Sequence, residues 1–253
     1  MLVLRSLLFQ FLFYFLTLVI CVIASPGVFL MRKFAIKVES FWARCMLWLL
    51  KITVGLDFEV RGREHIPDGP MILTSKHQSA WDTIIFAVVL HDPVYVLKKQ
   101  LLHIPVYGWY LYKLDMIAID RDSGVSSLKN MIRQARRVIS EGRRHIVIFP
   151  EGVRVAPGDR LPYQLGVAGL YSMLGIPVVP VALNSGLFWP RRKFLKYPGT
   201  ITLEFLPVIA QGMPREAFMA EIEERVETAS ERLIVEARAR FDLPAIPTNP
   251  DPL

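Results

Sequence analysis

The 253-residue sequence predicts an α/β fold, a mixed central sheet flanked by helices, preceded by an N-terminal two-helix membrane anchor. Three observations carry this. The first 55 residues are predominantly apolar, and beyond Gly55 short β-rich runs alternate with helical stretches. With 53% hydrophobic and 21% charged residues, the chain has apolar material for one substantial core and little room for a second domain. The division that follows is 1–55 for the membrane-associated helices and 56–253 for the α/β domain.

No charged residue occurs between Ser6 and Met31, a stretch longer than the roughly 20 apolar residues that a bilayer span needs. Arg5 precedes it, and Arg32, Lys33 and Lys37 follow it, so the excess of positive charge places its C-terminal side in the cytoplasm. A signal peptide is the competing reading, because Arg5, the apolar run and Val22-Ile-Ala24 imitate its three regions. The run is long for that purpose, however, and Pro26 is followed by more apolar residues. Over residues 34–54, Lys37, Ser40, Arg44 and Lys51 fall on one narrow helical stripe. Trp42 and Trp48 with flanking lysines suit a membrane interface; a core helix covered by the domain is the other reading. Cys21 and Cys45 both lie in this region, so neither a disulfide framework nor a cysteine-rich metal site is indicated.

The globular part offers seven strand candidates: 58–60, 71–74, 94–97, 116–119, 145–149, 178–183 and 201–205. Helices are expected at 80–90, 106–113, 123–141, 162–174 and 215–239. The last is the clearest, with Phe218, Ile222, Val226, Ala229 and Leu233 recurring on one face among many charges. The tail from Asp242 is proline-rich and expected to be loose.

A formal net charge of +7 calls for an acidic partner: nucleic acid, an anionic lipid surface or a phosphorylated substrate. Nucleic acid is disfavoured, because the basic residues are not interleaved with aromatics in a recognisable module.

Two stretches carry chemistry. In "KHQSAWD", residues 76–82, His77 and Asp82 stand five apart, which on a regular helix leaves their side chains roughly 140° apart. If Ser79 caps the helix instead, His77 lies in the preceding loop and folds back towards the carboxylate, making a base with an acidic orienter. Ser79-x-x-Asp82 equally matches a capping box, in which Asp82 merely satisfies helix-end amides. No third ligand stands at metal-binding spacing from His77. The second stretch, "HIVIFPEGVR", residues 145–154, is a strand running into proline, acid, glycine and arginine; a surface turn and an anion site both fit it.

Together, His77-x-x-x-x-Asp82 and Phe149-Pro-Glu-Gly-Val-Arg154 resemble the glycerolipid acyltransferases, specifically the 1-acyl-sn-glycerol-3-phosphate acyltransferases. Between them, Lys98, Lys99, Pro105, Gly108, Asp120 and Arg121 are similar to that family's second block, and "IPVVPVALNSG", residues 176–186, to its fourth. The likeness covers roughly residues 55 to 210. Two departures stand out: the family usually has Asn where this chain has Lys76, and a Thr-Arg-Ser ending where it has Val153-Arg154-Val155.

The resemblance implies a glycerol-3-phosphate acyltransferase-like sheet and transfer of an acyl group from acyl-CoA or acyl-acyl carrier protein to the free hydroxyl of 1-acyl-sn-glycerol-3-phosphate. No cofactor or metal is expected, and no acyl-enzyme is needed because the thioester is already activated. His77 would be the base and Asp82 its orienter. Arg154 would hold the phosphate with its planar fork, Glu151 would position that guanidinium or contact the glycerol, and Gly152 would turn the backbone and aim amides at the anion. Arg121 and Lys99 are further phosphate candidates, and "RRKFLK", residues 191–196, is expected to face the membrane or the donor. The expected setting is the cytoplasmic face of the inner membrane, with lysophospholipid, acyl donor and membrane lipid as partners. Rival readings are acylation of another lysolipid such as lyso-ornithine lipid, a non-catalytic lipid-binding protein and an exported hydrolase.

Overall fold

The structure, a computed structural model, describes residues 1–120, 124–142 and 145–245. Arg121 and the end of the proline-rich tail lie outside them.

The chain opens with α1 (Leu2–Leu30) and α2 (Arg32–Val54), which reverse direction at Met31 and pack on each other. Trp42 Nε1 donates to Thr17 Oγ1 at 2.9 Å, and its ring meets that of Phe13. Trp42 is therefore held between the helices and does not face a membrane interface as its sequence setting suggested. Pro26 removes one amide from α1, and Ser25 Oγ donates instead to the Val22 carbonyl, the acceptor left free.

The expectation of two membrane helices is corrected by composition. Among the described residues only α1 is long and apolar enough to cross a bilayer. α2 buries Ala43, Met46, Leu47, Leu49 and Leu50 against the rest of the protein. What α2 leaves outside is a mixed stripe in which Phe34, Phe41 and Trp48 alternate with Lys37, Arg44 and Lys51. α1 in turn is fastened to the domain at both ends. Near its start, the Lys196 amide donates to Ser6 Oγ and Phe9 packs edge-on against Trp189. Near its end, Tyr110 Oη donates to the Cys21 carbonyl and Lys113 Nζ to that of Phe29. A helix of 29 residues, about 43 Å long, thus lies along the protein with its outer side, including Phe11, Phe15, Leu18 and Val22, bare. Arg32 at the corner reaches Asp92 at 2.7 Å and Asp115 at 2.9 Å.

The domain that follows contains strands β1 (Leu56–Arg61), β2 (Ile72–Ser75), β3 (Pro93–Lys98), β4 (Ile117–Ile119), β5 (His145–Ile148), β6 (Val178–Leu183) and β7 (Gly199–Phe205). All seven predicted strands are present. They form one sheet in the order β1-β7-β6-β2-β5-β3-β4, parallel throughout except where β6 meets β7. Helices α3 (Asp82–Val89), α4 (Tyr107–Lys113), α5 (Gly124–Ser140), α6 (Gly166–Leu174), the short α7 (Ser185–Phe188) and α8 (Arg215–Arg240) complete it. β2 and β6 are buried along their whole length, and β6 accordingly reads as an unbroken apolar run. α8 buries Phe218, Ile222, Val226 and Leu233, the face that its period predicted.

One consequence of this strand order governs the site. β5, β2 and β6 are parallel neighbours, so the segments leaving their C-terminal ends emerge side by side.

Candidate active site

β2 delivers Lys76 and His77, β5 delivers the loop 149–155, and β6 delivers Asn184 and Ser185 to that common edge. His77 lies in the loop before α3, and its Nδ1 is 2.9 Å from Asp82 Oδ2. The same oxygen accepts the backbone N–H of Gln78 at 2.7 Å and of Ser79 at 2.8 Å. Ser79 Oγ accepts the N–H of Trp81, but the helix begins later than the sequence suggested: Trp81, not Ser79, is the N-cap, no side chain caps it, and Asp82 is the first helical residue. His77 nevertheless lies in the preceding loop as expected, and the loop amides of Gln78 and Ser79 fix the Asp82 carboxylate in place to orient the imidazole.

Asp82 Oδ1 is occupied as well, by the hydroxyl of Ser185 at 2.5 Å. With every contact to this buried carboxylate a donor, Nδ1 of His77 carries the proton and donates it. In the neutral ring this tautomer puts the lone pair on Nε2, the form in which an imidazole accepts a proton. The ring stacks on Phe149, centroids 4.0 Å apart and planes 19° from parallel. Its backbone is held from the other side: the N–H donates to Glu151 Oε2 at 2.9 Å, and the carbonyl accepts the Val155 N–H at 2.8 Å. Sequence reasoning did not find Ser185 or Phe149 as neighbours of the histidine.

Glu151 corrects an expectation. Its carboxylate is buried, 2.5 Å from Lys76 Nζ, and engages the His77 amide; it does not hold Arg154. Burial pushes this carboxyl up to about 7 against the pull of Lys76. Lys76 also reaches Glu227 of α8, at 2.8 and 2.9 Å to its two oxygens, and Glu227 accepts the Tyr163 hydroxyl at 3.0 Å. Lys76 therefore adds no free positive charge beside His77.

Gly152 sits at φ 72°, in the left-handed region that glycine enters freely. Its N–H donates to the Phe149 carbonyl at 3.0 Å, closing the turn, so that amide is not aimed at an anion. The turn carries Arg154 away from Glu151. Arg154 lines a cleft of about 430 Å³ shared with Ala80 and with Arg191, Arg192, Lys193 and Lys196. The "RRKFLK" segment is thus part of the same cleft as Arg154, not a separate patch. Lys99 is exposed just beyond the C-terminal end of β3 and does not line it. Arg121 lies outside the described residues.

Among the described residues no group of three or more acidic, histidine or cysteine side chains is arranged to hold a metal ion. The arrangement instead provides a proton acceptor of fixed tautomer beside a cationic cleft.

Comparison with known proteins identifies the family. A family model described as Acyltransferase matches residues 57–184. A 1-acyl-sn-glycerol-3-phosphate acyltransferase of Pseudomonas aeruginosa is 38% identical over 187 residues, 74% of this chain and 72% of that protein. One from Limnanthes alba is 32% identical over 168 residues, 65% of this chain and 57% of that protein. The crystal structure of the 1-acyl-sn-glycerophosphate (LPA) acyltransferase from Thermotoga maritima has the same fold, with a TM-score of 0.75 at 24% identity over 96% of this chain and 100% of that one.

Proposed function

The chain belongs to the acyltransferase family that includes the 1-acyl-sn-glycerol-3-phosphate acyltransferases, and from that membership we propose that it acylates the free hydroxyl of 1-acyl-sn-glycerol-3-phosphate to give phosphatidic acid. The observation that carries the catalytic part is the 2.9 Å contact between His77 Nδ1 and Asp82 Oδ2, which leaves Nε2 to take the hydroxyl proton. The acceptor oxygen attacks the thioester carbonyl as it loses that proton. The imidazolium is stabilised by Asp82 and returns the proton to the departing thiolate as the C–S bond breaks. No acyl-enzyme is required, and acyl-CoA or acyl-acyl carrier protein serves as co-substrate without a further cofactor.

Arg154 is the proposed partner of the acceptor's phosphate. Glu151 and Gly152 contribute by shaping the loop: one fixes the His77 amide, the other makes the turn that separates Arg154 from it. The protein is read as lying on the cytoplasmic face of the inner membrane, α1 half-sunk among lipid tails and the lysines and aromatics of α2 at headgroup level. The attachment of Ser6 and Phe9 to the domain supports an N-terminal segment that stays with the enzyme.

The test presents purified full-length protein in mixed micelles with equal amounts of lysophosphatidic acid, lyso-ornithine lipid and lysophosphatidylethanolamine and one labelled acyl thioester, run with each donor type. Phosphatidic acid is the expected labelled product. Its absence, with another lipid labelled instead, would replace the acceptor named here.

A further inference from the structure

The geometry points to a headgroup subsite built from the basic loop 190–196 and the inward side of α1, one that selects acceptors bearing a phosphate monoester. This rests on the acyl-transfer reading above and states which structural elements choose the lysolipid. The cleft begins at Ala80, in the turn between His77 and Asp82, and five cations line it: Arg154, Arg191, Arg192, Lys193 and Lys196. No carboxylate is among its lining residues.

That imbalance is local. On the α8 side of the molecule, Arg61, Arg160 and Arg232 each lie within 2.7 Å of a glutamate oxygen. In the cleft the basic side chains have one another for neighbours, and repulsion from Arg192 and Arg154 adds to desolvation in lowering the pKa of Arg191. Arg191 Nη1 donates to the Arg154 carbonyl at 2.7 Å, so the loop is tied directly to the turn that carries Arg154. Arg192 sits at φ 56°, a left-handed conformation that an arginine does not adopt by preference. Lys196 is buried, and its ammonium donates to Gln10 Oε1 at 2.7 Å and the Phe194 carbonyl at 2.8 Å. Neither partner is charged, and two of the ammonium's three protons are used in these bonds.

A phosphate monoester brings a charge of about −1.5 to −2 and three acceptor oxygens, the complement of such a site. A headgroup that carries its own cation would set that cation among five others. The same cleft is lined by aromatic rings, Phe9 and Phe13 of α1 with Trp189, and two of these flank the Lys196 ammonium at 6.0 and 5.5 Å. One ligand with a phosphate at one end and a hydrocarbon chain at the other matches a lining that is both basic and aromatic. α1 is thus a wall of the acceptor site as well as a tether.

The test compares wild type with the double variant Arg192→Gln, Lys193→Gln in neutral mixed micelles, measuring kcat and KM for lysophosphatidic acid, lysophosphatidylethanolamine and the acyl donor. Both side chains are exposed, so folding is expected to survive. The KM for lysophosphatidic acid should rise roughly tenfold or more, with kcat and the donor KM within about twofold of wild type. Its advantage over lysophosphatidylethanolamine should fall by the same factor. Arg192→Lys with Lys193→Arg should restore the KM, and Arg215→Gln with Arg238→Gln, an equal loss of charge on α8, should leave it unchanged. An unaltered acceptor KM in the first variant, a rise in donor KM in its place, or an equal effect of the α8 pair overturns the subsite. If wild type forms no phosphatidic acid, it is the acyl-transfer reading that fails.

Discussion

Lys76 Nζ stands 2.5 Å from Glu151 Oε1 with both side chains sealed from solvent, joining the residue before the histidine to the acid of the 149–155 loop. Glu227 closes the group from α8, so one ammonium serves two buried carboxylates drawn from distant parts of the chain. Removing the cation strands both. Lys76→Ala is expected to cost roughly 3–5 kcal/mol of stability, measured by urea denaturation. Lys76→Met combined with Glu151→Gln and Glu227→Gln should recover most of that loss, since no unpaired buried charge then remains. A Lys76→Ala protein as stable as wild type would contradict this account.

The same cluster predicts a pH dependence of stability. Burial raises the Glu151 carboxyl from its ordinary 4.5 to about 7, so between these values the folded protein holds a proton that the unfolded chain has released. The contribution is therefore complete below pH 4.5 and is lost as pH rises to about 7. Urea midpoints between pH 4 and 8 for wild type and Glu151→Gln should diverge across that window. A constant difference between the two curves would refute the assignment.

At the dyad, His77→Gln should lower kcat by roughly 10²- to 10⁴-fold with the fold intact. Ser185 touches the reaction only through Asp82, so Ser185→Ala should cost less, about tenfold in kcat, with KM values unchanged. Steady-state kinetics decide this, and an effect of Ser185→Ala confined to KM would argue against an orienting role.

Desolvation lowers the Lys196 ammonium from 10.5 to about 8. Its cage offers no carboxylate to hold the charge: Gln10 comes from α1, the carbonyl from Phe194, and Arg191, Arg192 and Lys193 line the same cleft. Below pH 8 the ammonium is charged and attracts phosphate; above it the charge is lost. The KM for lysophosphatidic acid should rise as pH passes from 7 to 9. In Lys196→Met it should be higher at pH 7 and lack that step.

Membrane attachment is separable from catalysis. Phe11 and Phe15 are 64% and 52% exposed on the outer side of α1 and do not line the cleft. Replacing both with Asp should weaken binding to vesicles about tenfold or more in flotation, with kcat in mixed micelles within about twofold of wild type.

Much of this fold was legible because the sheet is buried and α8 is one-faced. Short β-rich runs separated by helical stretches marked every strand, and a repeating pattern marked the helix. His77 and Asp82 were legible because they meet within one turn. Ser185 and Glu227 were not: their contacts depend on β6 lying beside β2 and on α8 crossing the sheet edge, and strand order leaves no trace in local pattern. Glu151 misled for a local reason. An acid three residues before an arginine reads as its partner, yet the left-handed turn at Gly152 separates them and burial gives the acid to Lys76. Lys196 was read with its basic neighbours as facing the membrane or the donor, because nothing in "RRKFLK" says that the first helix will close over it.

Because Ser6, Phe9 and Gln10 seat the Lys196 segment, the hydrophobic leader cannot be trimmed as a mere handle. A shortened form beginning at α2 would keep the proton-transfer pair and lose the ceiling above the acceptor's headgroup. Such an enzyme should still hold its base in register while admitting lysolipids indiscriminately, so that weakened membrane attachment and lost selectivity arrive together in a single deletion.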